Sequence, residues 1–273
     1  MTFDPAVALG LSAAAALALG GPVVLGAWLW RRLGANPVAW AIGAATFFVS
    51  QVVLRLPWQI ALGLWLSKHH PEPAVQWAWL VVSAFSAGLF EETGRYVAYR
   101  FAWKDRTATG ALMLGAGHGG IESMLLVGLN LAVSAVMYVG LTHGYTLGLG
   151  PEKLEPVRQQ FAQLTPVLAL AGGVERVSSM AVHCGLSVLV LQCFTRGSRW
   201  WLLAAIGFHG LSNLVGVAAA KALGVWPGEG VIACFGLLAL AWTVRIVSRD
   251  RRAREALTVF PVASSLHDDP KPP

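Results

Sequence analysis

Long apolar stretches recur seven times along this chain of 273 residues, and they constrain its fold more than any other feature. A transmembrane helix needs about 20 mostly apolar residues, and each stretch is long enough for one. The candidate spans are residues 5–30, 37–66, 75–101, 107–142, 165–195, 199–221 and 228–247. Charged residues make up only 12% of the chain, whereas a soluble domain carries about 25%. The sequence therefore predicts an all-α, polytopic membrane protein built as one helix bundle.

The distribution of basic residues predicts the orientation of this bundle. If the N-terminus lies outside, 13 of the 20 Lys and Arg residues fall in cytoplasmic segments and four fall in outer loops. Because cytoplasmic loops of membrane proteins are enriched in Lys and Arg, the asymmetry favours seven spans with the C-terminus in the cytoplasm. Topology and lipid headgroup contact account for the net charge of +6, so we expect a lipid bilayer and no nucleic acid as partner.

Composition also predicts how the chain is divided. Residues 1–247 read as a single transmembrane domain, with a catalytic core at about 75–221. Residues 248–273 are basic and then rich in Pro and Asp, which predicts a disordered cytoplasmic tail. The candidate span 107–142 is too long for one straight crossing, so we expect a bend there, with a second helix as the alternative. The polar stretch 150–164 predicts a short interfacial helix.

Polar side chains, most of them ionisable, recur on four neighbouring spans. Such groups are costly at membrane depth, so they indicate a functional site by default. One residue on each span lies 8–13 residues from a basic span end, roughly 12–20 Å at about 1.5 Å per residue: Glu92, His118, His183 and His209. The full set of polar residues is Glu91, Glu92 and Arg95 on the third span, His118 and Glu122 on the fourth, Glu175, Arg176 and His183 on the fifth, and His209 with Asn213 on the sixth.

These residue types suit hydrolysis by an activated water. A carboxylate beside a histidine in a pocket of low dielectric can hold and deprotonate water. A second histidine with an asparagine can donate hydrogen bonds to a developing oxyanion. The chain has no Gly-x-Ser-x-Gly elbow and no His-Glu-x-x-His motif. We expect no bound cofactor, but zinc stays an open alternative, because the histidines with Glu122 or another glutamate could ligate it.

The motifs resemble those of a known superfamily. The pattern Glu91-Glu92-x-x-Arg95, a histidine on the next helix, and His209-x-x-x-Asn213 resemble the glutamic intramembrane proteases of the CAAX-protease and bacteriocin-processing (CPBP) superfamily. The wider sequence around these residues is most similar to the bacterial YhfC branch. The resemblance covers spans three to six, about half of the chain. In this sequence the arginine comes one residue earlier than in the superfamily pattern EExxxR, and Leu114 stands where FxxxH has phenylalanine.

The resemblance implies a role for each polar residue. It implies that Glu91 is the general base that activates water, with help from His118. It implies that His209 and Asn213 stabilise the oxyanion. The residues with an implied supporting role are Glu92, Arg95, Glu122, Glu175, Arg176 and His183.

The leading hypothesis is therefore an intramembrane endopeptidase in the cytoplasmic membrane of a bacterium. Its substrates would be membrane-embedded or membrane-adjacent peptides or proteins. Two other classes stay open: a proton-coupled transporter or channel, since buried carboxylates and histidines also serve proton relays, and a non-catalytic membrane scaffold. No inverted repeat of the kind typical of transporters is evident in the sequence. Substrate identity and oligomeric state are not encoded in any motif.

Overall fold

The computed structural model describes residues 2–146 and 148–259, and over that range the chain is a bundle of seven long apolar helices without a β-strand. The prediction of an all-α, seven-span membrane protein is confirmed. The spans, numbered first to seventh, are Pro5–Leu33, Pro37–His69, Pro73–Ala102, Ala108–Thr142, Pro166–Thr195, Trp200–Leu223 and Val225–Asp250.

Local sequence signals fix where several of these helices begin. The first span starts after Asp4, whose carboxylate accepts a hydrogen bond from the Ala6 backbone N–H at 2.8 Å. Asn36 caps the second span in the same way, at 2.9 Å from the Val38 nitrogen. A proline follows each of these caps, at a position where a helix does not need its N–H. Gly34 ends the first span in the left-handed region, at φ 66°, which glycine adopts at little cost.

Three spans change from α-helical to π-helical geometry part-way along. The π-helical segments are Phe48–Arg55 in the second span, Ala98–Ala102 in the third and Ser123–Gly128 in the fourth. The long stretch 107–142 is therefore one continuous helix with an altered segment near its middle, not two spans. A π-helical turn is wider than an α-helical one and often occurs at functional sites. Here Gln51 lies within the first segment, and Arg95 and Glu122 lie in the helix turns just before the other two.

Glycines bring the second and fourth spans into backbone contact. A Cβ atom at Gly117 would lie 1.9 Å from the carbonyl oxygen of Trp40, and one at Gly43 would lie 2.0 Å from that of Leu114. Such close approach is typical of small residues at interfaces between membrane helices. The fifth span lies in the centre of the bundle: 67% of its most apolar stretch is buried, against at most 39% in the other spans.

The segments outside the spans partly match expectation. A short helix, Pro151–Ala162, lies within the stretch 150–164, and its position at the membrane surface stays a prediction. The last helix continues to Val259, so the first part of the predicted tail, 248–259, is helical and not disordered. Residues 260–273 of that tail lie outside the described residues.

Candidate active site

Glu91 lies at the centre of a buried polar cluster. Its Oε2 atom is 2.9 Å from Nε2 of His118, a residue of the fourth span. On its other side, the Gln51 amide donates a hydrogen bond to Oε1. Only 2% of Glu91 is exposed, and His118 is completely buried. Two neighbouring spans therefore hold both oxygens of one carboxylate inside an apolar bundle.

The second glutamate of the pair faces a different set of partners. Arg95, one turn further along the third span, donates a hydrogen bond to Oε1 of Glu92. Nδ1 of His209, on the sixth span, lies 2.7 Å from the same oxygen. Arg95 also lies 3.9 Å from Glu91 Oε2 through its Nη2 atom. Both Glu92 and Arg95 are fully buried, as a paired charge must be when it is removed from water.

Three histidines from three different spans converge on Glu91. The ring centroids of His118 and His183 are 5.5 Å apart, and so are those of His183 and His209. Besides the His118 contact, Nδ1 of His183 lies 3.9 Å from Glu91 Oε2, and Nε2 of His209 lies 3.8 Å from Oε1. All three side chains are buried. The arrangement surrounds one carboxylate with imidazole nitrogens.

A second chain of charges extends outward from His183. Its Nε2 atom lies 2.7 Å from Glu122 Oε2, although the alignment falls short of an ideal hydrogen bond. Arg176 approaches the other oxygen of Glu122, with 3.3 Å between Nη1 and Oε1. The same guanidinium donates from Nε to Glu175 at 2.9 Å. This Glu175–Arg176–Glu122 chain is half-buried, in contrast to the cluster around Glu91.

A cavity of about 280 Å³ adjoins both charge clusters. Glu91, His183 and His209 line it, whereas the fully buried His118 does not. Asn213, one helical turn after His209, also lines the cavity, and no hydrogen bond joins its amide to another part of the described chain. A substrate or water in this cavity would therefore meet a carboxylate, two imidazoles and an unengaged amide.

The structure brings all ten residues singled out in the sequence to this one region. Six form the buried cluster: Glu91, Glu92, Arg95, His118, His183 and His209. Glu122, Glu175 and Arg176 form the outer chain, and Asn213 lies on the cavity wall. Whether they have the implied roles stays a prediction.

The second span also contributes to the site, through two residues that were not among the candidate site residues. Arg55 donates to Gln51 Oε1 at 2.8 Å and to Ser86 Oγ at 3.0 Å, so it holds the amide that contacts Glu91. Both residues are buried and line the cavity. The signal was present: Gln51 and Arg55 are polar, lie four residues apart and interrupt an otherwise apolar helix.

The residues around Glu91 fit a divalent metal ion by donor type. Ligand atoms from Glu91, His118 and His183 all lie within 4.8 Å of one another, and histidine with carboxylate is a donor set that zinc accepts. His183 and His209 each contact a carboxylate through the nitrogen that faces away from Glu91, which is how metal-binding histidines are normally oriented. One contact competes: Arg95 Nη2 lies 2.6 Å from His183 Nδ1, so an ion at that nitrogen would replace this hydrogen bond.

Comparison with known proteins identifies the family of the chain. A family profile described as YhfC intramembrane metalloprotease matches residues 16–235, which include the whole site. A protein of Bacillus subtilis (strain 168) named "Uncharacterized membrane protein YhfC" is 31% identical over 252 residues, covering 89% of this chain and 96% of that protein. No solved structure matches the chain significantly. The chain is a multi-pass membrane protein that belongs to the YhfC intramembrane metalloprotease family.

Proposed function

We propose that this chain is an intramembrane endopeptidase that acts on membrane-embedded or membrane-adjacent substrates, and that Glu91 is the centre of its active site. The observation that carries the proposal is a buried carboxylate, bonded to His118 and facing His183 and His209, beside a cavity inside a membrane helix bundle. The family description supports the same class of reaction.

In the glutamate form of the mechanism, Glu91 is the general base. Water in the cavity attacks the substrate carbonyl carbon while Glu91 takes its proton, and His118 keeps the carboxylate oriented at 2.9 Å. The oxygen of the tetrahedral intermediate faces His209 and the Asn213 amide, which act as hydrogen-bond donors. The C–N bond then breaks, and Glu91 passes its proton to the leaving nitrogen.

A metal form of the mechanism assigns a different role to Glu91. Glu91, His118 and His183 would hold the ion, and Glu92 and Glu122 would orient His209 and His183 from outside. A bound zinc ion lets water ionise near neutral pH and polarises a carbonyl. The family description favours this form, and the metal content of the purified protein separates the two.

The remaining expectations belong to the same proposal. Glu92 supports the site by pairing its charge with that of Arg95. His183 is supported by the outer chain of Glu175, Arg176 and Glu122. The catalytic core is 75–221, in the cytoplasmic membrane of a bacterium, with the N-terminus outside. Membership of the wider CAAX-protease superfamily would favour the glutamate form of the mechanism over the metal form.

The test compares the termini of membrane peptides in cells that carry the wild-type chain or Glu91→Gln at matched expression. Termini that vanish in the variant would show proteolysis and identify substrates. Glu72→Gln is the matched control, because Glu72 is an exposed carboxylate just before the third span and does not line the cavity. Identical termini in all three strains, with folded proteins, would contradict the proposal; substrate flux in liposomes would then test transport.

A further inference from the structure

We infer that the cavity beside Glu91 opens toward the outer end of the bundle, so that water and substrate reach the active site from the extracytoplasmic half of the membrane. We call outer the end at which residues 70–72, 143–165 and 224 join the spans. The word substrate rests on the proposed function, but the direction of access is a property of the helix packing. It can therefore be measured without cleavage.

The lining of the cavity extends in one direction from the buried cluster. In the third, fifth and sixth spans, the lining residue nearest the cytoplasmic end is a member of that cluster: Glu91, His183 and His209, respectively. The other lining residues of these spans lie toward the outer end, within 80–87, 175–182 and 212–217. The sixth span runs opposite to the other two, so this agreement reflects depth in the bundle and not direction along the chain.

Exposure of the polar groups increases in the same direction. Glu91 is 2% exposed, whereas the side chains of Glu122 and Glu175 are 18% and 21% exposed. Charged groups within a membrane bundle face its interior or a water-filled cavity, because lipid does not solvate them. The outermost lining residues of the fourth and sixth spans, Leu126 and Val217, are 40% and 41% exposed. The cavity therefore reaches the surface of the bundle on this side.

Side chains fill the space on the cytoplasmic side of the cluster. Phe47 is fully buried and contacts the His118 ring edge-on, with 5.3 Å between the ring centroids. Tyr99 is also fully buried, and its hydroxyl lies 2.8 Å from Ser187 Oγ. Arg106, in the cytoplasmic connection, donates to the Tyr99 backbone oxygen at 2.7 Å. In the described part of the chain, the separate pocket that Arg106 helps to line includes no residue of the cluster.

The basic residues assign the two ends of the bundle to the two sides of the membrane. Four of the 20 Lys and Arg residues lie in the segments at the end toward which the cavity opens. Thirteen lie in the segments at the opposite end or in the tail that follows it. Because cytoplasmic segments are enriched in Lys and Arg, the open end of the cavity faces away from the cytoplasm.

The depth of the site narrows the class of substrate. Leu80, the outermost lining residue of the third span, lies 11 residues before Glu91, which is about 16 Å along a helix. An extended peptide covers about 3.3 Å per residue, so about five residues would separate the cleaved bond from the mouth of the cavity. The substrate is therefore a membrane protein or exported peptide that presents an extended segment on its outer side.

Two serines of the fifth span form a matched pair for the test. Ser179 lies four residues before His183 and lines the cavity, whereas Ser187 lies four residues after it and is fully buried. Each is changed to cysteine in a full chain whose three natural cysteines are replaced by alanine. Exposed positions mark the two ends: Ser67→Cys the outer end and Lys104→Cys the cytoplasmic end.

The assay treats right-side-out and inverted membrane vesicles with a small cationic methanethiosulfonate that does not cross membranes, and mass spectrometry measures the labelled fraction. We expect Ser179→Cys to react in right-side-out vesicles, as Ser67→Cys does, and Ser187→Cys to react in neither preparation. Labelling of Ser179→Cys in inverted vesicles alone, or in neither preparation, would overturn the inference. So would labelling of Ser67→Cys in inverted vesicles alone, because the orientation would then be reversed.

Folding of each variant is checked by thermal unfolding in detergent. If Ser179→Cys does not fold, Ser83→Cys repeats the test from the third span, where Ser83 also lines the cavity. The same outcomes decide, since both positions lie on the outer side of the cluster.

The positions of cleaved bonds provide a second measurement. Termini that depend on Glu91 should map to the outer halves of substrate spans or to segments outside them. Termini within cytoplasmic segments would overturn the inference while supporting the proposed protease. If Glu91→Gln removes no termini, the proposed function fails, and the labelling of Ser179→Cys still decides the direction of access.

Discussion

The closest backbone contact near the site is at Gly117, and it gives the sharpest test of how packing positions the chemistry. The alanine Cβ of Gly117→Ala would lie 1.9 Å from the Trp40 carbonyl oxygen, whereas an ordinary contact begins at 3.4 Å. The second and fourth spans would therefore have to separate by roughly 1.5 Å, because both colliding groups are backbone or fixed to it. His118 is the next residue on the fourth span and would move with it.

The expected loss of function follows from the length of one hydrogen bond. His118 Nε2 lies 2.9 Å from Glu91 Oε2, and a displacement of that size would lengthen the contact to about 4 Å, beyond hydrogen-bond range. Overpacking typically costs about 1–3 kcal/mol, while replacing glycine by alanine within a helix stabilises by up to about 1 kcal/mol. We therefore expect net destabilisation of about 1–2 kcal/mol together with a loss of cleavage.

The assay measures thermal unfolding in detergent and the substrate termini produced in cells. Gly207→Ala is the matched control, because a Cβ atom there has nothing within 4 Å, so it should be neutral or slightly stabilising and fully active. If Gly117→Ala were as stable and active as the Gly207→Ala protein, the reasoning from backbone contact to the position of His118 would be refuted.

Three further tests probe the candidate site. Arg95→Leu leaves Glu92 buried without its cation and should destabilise by about 3–5 kcal/mol; adding Glu92→Gln should restore part of this, as chemical denaturation would show. Asn213→Ala should lower kcat about 10²–10³-fold with little change in stability if its amide stabilises the oxyanion, and equal activity on an identified substrate would contradict that role. In the metal form, the purified protein should contain about one zinc per chain and lose activity on chelation, and His118→Ala should reduce the metal content; an active, metal-free protein would favour the glutamate form.

Much of the fold could be predicted from the sequence because the membrane imposes one dominant rule. A helix that crosses a bilayer must be long and apolar, so the seven spans and most of their ends could be predicted from the sequence. The tail could not, because the helix through Val259 continues well past the apolar stretch. Local composition shows where a chain leaves the membrane, but it does not show where backbone hydrogen bonding stops.

The site was predictable as a set of residues and unpredictable as a network. Polar groups within apolar helices are rare enough to identify Glu91 and His118 without any structure. Their partners depend on how each helix is rotated about its axis, which spacing within one helix does not determine. The short contact between His183 and Glu122 joins the fifth span to the fourth, and only the packed bundle shows it.

The second span shows why this rotation matters. Gln51 and Arg55 both lie in the π-helical segment Phe48–Arg55, where the extra residue per turn rotates the following helix relative to an uninterrupted α-helix. With that rotation, Arg55 reaches Gln51 at 2.8 Å while Gln51 reaches Glu91. The wider turn has a cost in backbone geometry, and the apolar neighbours Val52 and Val53 do not explain why the helix adopts it. The contact with the Glu91 carboxylate does explain it, so the segment is best explained by the site that it completes.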